Sequence, residues 1–139
     1  LLKARLESGG HQIVSYEILP DEPARIRDRV RALAEADVEA VLLSGGTGIA
    51  PRDTTYEAVV GILDRRLDGF GELFRSLSYQ EIDTAAMLSR AVAGTLLSTI
   101  VFAMPGSTGA CELAIDRLVL PELSHIVGLL RPAAGSRKS

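Results

Sequence analysis

The chain has 139 residues, 47% of them apolar, with a formal net charge of −3 and a mean hydropathy of +0.21. These values suit one compact domain that buries about two thirds of its unfolded surface, and they exclude a disordered chain. A pI near 5.4, 4% aromatic residues and no Trp argue against nucleic acid as a partner. No apolar stretch approaches the ~18 residues of a membrane span, and nothing reads as a signal peptide.

Leu1, Leu2, Ala4, Arg5 and Leu6 open in mid-helix and run into Gly9-Gly10, a helix stop. A strand is expected over 12 to 19, carrying Ile13, Val14, Ile18 and Leu19. Pro20-Asp21-Glu22-Pro23 then turns the chain, and Pro23 suits the first turn of a helix. Ile26, Val30, Leu33 and Ala34 form that helix's apolar stripe, while Arg25, Arg27, Arg29 and Arg31 fan over a solvated face. Val41-Leu42-Leu43 reads as a strand covered on both faces. It ends at Ser44-Gly45-Gly46-Thr47-Gly48, where glycines permit positive φ and a close ligand approach.

Thr54 or Thr55 caps a helix over 55 to 66, with Glu57 placed as a capping-box partner of Thr54. Phe70, Leu73, Phe74 and Leu77 fall at helical spacing within 70 to 82; they suit core or subunit interface. Thr84 to Ala93 is expected as a helix carrying Ser89 and Arg90. Residues 98 to 104 form a second buried strand, which delivers Pro105-Gly106-Ser107 to another helix start. Pro121 begins a last helix to Leu130, and 132 to 139 form a frayed tail. Helices between buried strands imply an α/β three-layer α/β/α sandwich with a largely parallel sheet. Cys111 is the only cysteine; it excludes an internal disulfide, suits a reducing cytoplasm, and sits among apolar neighbours as a packing residue. His11 and His125 have no ligand-spaced partner.

Two strands thus end on small-residue loops facing helix amino ends, an arrangement that favours phosphate. The 44 to 48 loop is neither a Walker loop nor a dinucleotide fingerprint. Asp53 beside such a cradle makes sense if Mg²⁺ stands between carboxylate and phosphate; an Asx cap or a pair with Arg52 is the plainer role. Asp21 can reach the same sheet edge or cap the helix before Pro23. Arg90 can neutralise phosphate charge or pair with an acid, and Ser89 can bind a ligand or its own helix.

Ser44-Gly45-Gly46-Thr47-Gly48 with Pro51-Arg52-Asp53-x-Thr55 resembles the signature of the MoaB/MogA family of molybdenum cofactor biosynthesis. Further matches are Pro20-Asp21-Glu22, Gly69-Phe70-Gly71-Glu72-Leu73-Phe74-Arg75, Ser89-Arg90-Ala91-x-Ala93-Gly94 and Met104-Pro105-Gly106-Ser107. The matches at Gly69 to Arg75 and at Met104 to Ser107 are similar to the MoaB branch in particular. The resemblance covers nearly the whole chain, as a single molybdopterin-binding domain over 1 to 131. In the family a strand and a Thr/Ser-Asp loop precede the first helix; both are absent from this sequence.

The resemblance implies Mg-ATP-dependent adenylylation of molybdopterin in the cytoplasm. Asp21 and Asp53 match the family's paired acids, associated with Mg²⁺ and catalysis. Gly45 to Gly48 match its nucleotide-phosphate loop, and Ser89 its pterin-side segment. Ser44, Thr47, Arg90, Pro105, Gly106 and Ser107 complete the expected binding residues. The family also implies a homo-oligomer, trimer or hexamer, and hand-over of activated molybdopterin to a molybdate-inserting partner. Tyr56 stands where relatives often have Pro, and Asp83 where MoaB relatives have Gly. Asp83 adds charge and removes positive-φ freedom near the pterin segment. The competing reading is a pterin-binding or assembly module of the same fold, without turnover.

Overall fold

A computed structural model describes residues 2 to 132. Helix α1 (Leu2–Ser8) stops at Gly9, whose N–H reaches Arg5 O and Leu6 O, and at Gly10, at φ 88°. Helix α2 (Pro23–Glu35) starts on Pro23, as expected, with Glu22 rather than Asp21 at its cap. Strand β1 (Ala40–Ser44) leads to helix α3 (Thr55–Val60). A short strand β2 (Arg65–Arg66) and helix α4 (Asp68–Ile82) follow. After a 3₁₀ turn over Asp83–Leu88 come strands β3 (Val92–Leu96) and β4 (Thr99–Met104). The described residues continue with α5 (Thr108–Ala114), a wide π turn over Ile115–Val119, and α6 (Leu120–Leu130).

The sheet has the order β1-β4-β3-β2, and all six residues of its central β4 are buried. Side chains alternate across a strand, so β4 serves two cores. Ile100, Phe102 and Met104 pack with Leu6, Phe70, Phe74, Val119 and Leu123, under α1, α4 and the C-terminal helices. Val101 and Ala103 pack with Ile26, Val30 and Val59, under α2 and α3. This is the expected three-layer α/β sandwich. Its parallel pairing is at β1–β4; β3 and β2 join antiparallel.

Those two strands lie where helix was expected. The helix expected over 55 to 66 ends at Gly61, whose N–H caps Glu57 O; the chain then extends, and Asp64 N and Leu67 N donate to Thr95 O and Ala93 O. Gly94 makes this pairing possible, since a β-carbon there would stand 2.3 Å from Arg65 O. The helix expected over 84 to 93 ends at Leu88, because Val92 to Leu96 pair with β4 through a two-residue turn at Leu97-Ser98. Leu97 sits at φ 54°, and Asp64 Oδ2 accepts its N–H at 2.8 Å.

The strand expected over 12 to 19 does not form. Among the described residues none of its amides makes a backbone hydrogen bond, and Val14, Tyr16 and Ile18 are exposed. Arg29 of α2 holds the segment instead, through Glu17 at 2.7 Å. A cleft of about 460 Å³ separates it from the outer edge of β1. Of the two readings of Phe70, Leu73 and Phe74, core holds for the phenylalanines and the subunit face over all three is corrected. Phe70 and Phe74 are 5% and 1% exposed, and Phe70 meets Phe102 edge-on at 5.2 Å; only Leu73 faces out. Cys111 is buried as expected, and burial pushes its thiol pKa up. The tail beyond Pro132 lies outside the described residues.

Candidate functional site

The glycine loop leaves the end of β1. Gly45 N donates to Met104 O at 2.8 Å, so the strand pairing continues into the loop before the chain turns. Gly45 and Gly46 stand at φ 103° and 70°, the left-handed region that glycine tolerates. A β-carbon on Gly46 would lie 2.2 Å from Thr55 Oγ1, and Gly46 O accepts the Thr55 N–H at 3.0 Å. The loop is thereby laid against the first residue of α3. Thr47 is buried at 2% exposure, and its carbonyl accepts the Arg90 N–H at 2.7 Å.

Gly48 is small because Asp53 folds back on it: a β-carbon there would meet Asp53 Oδ2 at 2.7 Å. The same oxygen accepts the Ala50 N–H at 2.9 Å, and Asp53 N returns a bond to Ala50 O. Asp53 therefore neither caps α3 nor pairs with Arg52. Its Oδ1 accepts no hydrogen bond among the described residues, leaving one oxygen for a cation. Thr54 occupies the cap of α3 without a side-chain cap bond, and its buried Oγ1 has no partner among the described residues. The expected capping box is absent, because Glu57 turns to Arg90.

Arg90 is the hub of the loop. Its Nε donates to Gly48 O at 2.9 Å and its Nη2 to Asp53 O at 3.0 Å. Nη1 pairs with the Glu57 carboxylate, and the guanidinium lies 4.8 Å from the centre of the Tyr56 ring. The hydrogen bond from Arg90 holds the Glu57 carboxyl below the usual carboxylate range. Ser89 lies beside it, with Oγ accepting the Ala91 N–H at 3.3 Å. Arg75 of α4 binds Ser89 O and Ala91 O at 3.3 and 3.0 Å.

The second loop meets the first. A β-carbon on Gly106 would stand 3.3 Å from Gly45 Cα, so Pro105-Gly106-Ser107 runs against the glycine loop at the carboxyl end of the parallel pair. Ser107 caps α5, with its carbonyl bonded by Cys111 N. Asp21 lines the cleft beside β1 together with Ser44, Gly45 and Thr55; Asp53 is not part of that lining. The structure thus joins Gly45, Gly46, Gly48, Asp53, Arg90 and Gly106, and sets Asp21 at the cleft on the other side of Gly45. Glu57, Tyr56 and Arg75 were not singled out as site residues. Nothing in the sequence marks a pair as distant as Glu57 and Arg90.

Among the described residues, a mixed four-stranded sheet covered on both faces, with two glycine loops in contact at the end of its parallel pair, defines a three-layer α/β domain. A family model described as "Probable molybdopterin binding domain" matches residues 1–125. The chain is 53% identical over 129 residues to the molybdenum cofactor biosynthesis protein B of Halalkalibacterium halodurans, covering 91% of this chain and 76% of that protein. It is 48% identical over 133 residues to the Bacillus subtilis protein of the same name, covering 94% and 78%. A crystal structure of a molybdenum cofactor biosynthesis protein B superposes with a TM-score of 0.91 at 49% identity, covering 95% of this chain and 83% of that one. The chain belongs to the MoaB/MogA family of molybdenum cofactor biosynthesis proteins.

Proposed function

We propose that this domain binds molybdopterin and transfers the adenylyl group of Mg-ATP to it, within molybdenum cofactor biosynthesis. The observation that carries the reading is the contact between the Gly45–Gly48 and Pro105–Ser107 loops, with Asp53 folded against Gly48. Loop amides at such an edge suit phosphate oxygens. In the reaction, a terminal phosphate oxygen of molybdopterin forms a bond to the α-phosphorus of ATP. The bond from that phosphorus to the bridging oxygen breaks, and pyrophosphate leaves with the electron pair.

The protein's share is positioning and charge neutralisation. Gly45, Gly46 and Gly48 bring backbone close to the nucleotide phosphates, with Ser44, Thr47, Pro105, Gly106 and Ser107 completing the cradle. Ser89 lies toward the pterin side. Mg²⁺ fits the open Oδ1 of Asp53, since it takes one or two carboxylates with phosphate oxygens; Asp53 would hold it, with Asp21, on the other side of Gly45, as the second acid of this reading. When bound it screens phosphate charge. Activated molybdopterin would pass to a molybdate-inserting partner, with the domain working as a homo-oligomer in the cytoplasm. Among the described residues no helix is long and apolar enough to cross a membrane.

One observation favours a binding module without turnover: Arg90, the cationic site residue, is committed to two carbonyls and Glu57. Incubation with Mg-ATP and molybdopterin separates the readings. Adenylylated molybdopterin and stoichiometric pyrophosphate are expected; molybdopterin binding with no product would leave the module.

A further inference from the structure

We propose that Arg90 is a positioning residue that fixes the shape of the phosphate loop, rather than a ligand of the phosphate. Two of its contacts close one ring. The Nε bond to Gly48 O and the Nη2 bond to Asp53 O clamp the two ends of the 48 to 53 segment. The pair with Glu57 and the stack on Tyr56 tie that segment to the first turn of α3. The main-chain N–H of Arg90 holds Thr47 O from the other side. All three guanidinium nitrogens are thereby engaged, and the side chain that neutralises Arg90 is Glu57 of the protein itself.

The planar fork of arginine can span two carbonyls and a carboxylate at once, which the point charge of lysine cannot. The brace acts where it matters for the acid. Asp53 O is one of the clamped carbonyls, and Asp53 Oδ2 is bound by Ala50 N–H inside the same ring. Holding Gly48 and Asp53 at fixed separation therefore aims the free Asp53 oxygen and keeps the loop amides in place. Tyr56 belongs to the brace as the flat surface under the guanidinium, an aromatic contact that a proline at that position would not make.

This inference rests on the phosphate-cradle reading for its functional consequence, but its structural half is measured without ligand. Hydrogen exchange of the 45 to 55 amides is followed in the ligand-free protein for wild type, Arg90→Lys and Arg90→Met. Mg-ATP affinity by calorimetry and melting temperature are recorded alongside. Exchange across 45 to 55 is expected to rise about tenfold or more in both variants, the factor that corresponds to losing ~1.4 kcal/mol. Mg-ATP affinity should fall by a similar factor in Arg90→Lys while its melting stays within a few degrees. Tyr56→Leu should show the same pattern more weakly, and it carries the test should Arg90→Met fail to fold.

A direct phosphate ligand behaves differently: Arg90→Lys would keep most of its Mg-ATP affinity with unchanged loop exchange, and that result overturns the proposal. A merely structural arginine would lower the melting temperature and leave the affinity of the folded protein alone, which also overturns it. A wild type that binds no Mg-ATP sinks the adenylylation reading, whereas the exchange comparison still decides whether Arg90 holds the loop.

Discussion

Asp53 is half-buried between the amide of Ala50 and the backbone of Gly48. That environment asks two things of the side chain, a hydrogen-bond acceptor and a negative charge, and substitution can separate them. Asp53→Asn keeps an oxygen for Ala50 N–H and loses the charge. Turnover is expected to fall by ~10²–10³ with molybdopterin affinity and melting nearly intact, since loss of one group that stabilises transition-state charge has this size. Full activity at saturating Mg-ATP would leave Asp21 as the better metal residue. Gly48→Ala tests the same contact from the backbone side. Its β-carbon would push Asp53 Oδ2 out of place, so calorimetry should show weakened Mg-ATP binding in a folded protein. Asp83 is a different case: it sits at φ 59° and ψ −139° at the end of α4. A non-glycine residue there is strained by about 1–3 kcal/mol. Asp83→Gly should therefore raise the unfolding free energy by about 1 kcal/mol in a denaturant titration.

Among the elements, β4 and α4 bear the most. Every residue of β4 is buried, and α4 presents Phe70 and Phe74 to it while keeping Leu73, Tyr79 and Ile82 outside. Gly71 sets how closely α4 approaches, because a β-carbon there would crowd Ala91 O at 2.8 Å. Phe74 is 1% exposed, so Phe74→Ala leaves a cavity under the sheet and should cost about 3–5 kcal/mol, read from the shift in urea midpoint. Leu73→Ala on the same helix removes an exposed side chain and should fall within about 0.5 kcal/mol of wild type. Had the two phenylalanines formed a subunit face, their loss would change oligomer mass before stability.

At the scale of the whole fold, the described sheet is covered on both faces, and among the described residues no strand pairs with the outer edge of β1. Glu39 O accepts from Ile100 N and Gly45 N donates to Met104 O, so the intervening Ala40, Leu42 and Ser44 turn their backbone groups toward the outer edge of β1. Across the cleft, the amides of residues 12 to 19 have no backbone partner among the described residues. Their exchange is expected to approach that of an unprotected peptide, while the amides of β4 exchange only on global unfolding. Slow exchange over 12 to 19 would mean that the segment is paired in solution.

Much of the architecture was legible in local pattern. The Pro23 helix start, the Val41–Leu43 strand, the 98 to 104 strand and both glycine loops follow from period, apolar runs and turn chemistry, which act within a few residues. The positive φ at Gly45 and Gly46 was open to the same reading; Asp83 was marked as a residue in a glycine's place only by the family resemblance. What local pattern could not supply was decided by partners far along the chain. Val92 to Leu96 become a strand because β4 offers an edge, through a turn at Leu97 that has no glycine to announce it. Residues 12 to 19 have strand composition and are unpaired among the described residues, since pairing needs a neighbour and not only a propensity. Glu57 leaves its capping role for an arginine 33 residues away, since a charged pair on a shaped loop outweighs one exposed cap. The kinds of residue at the site were set by the sequence; which of them touch was set by the fold, because contact is a property of packing.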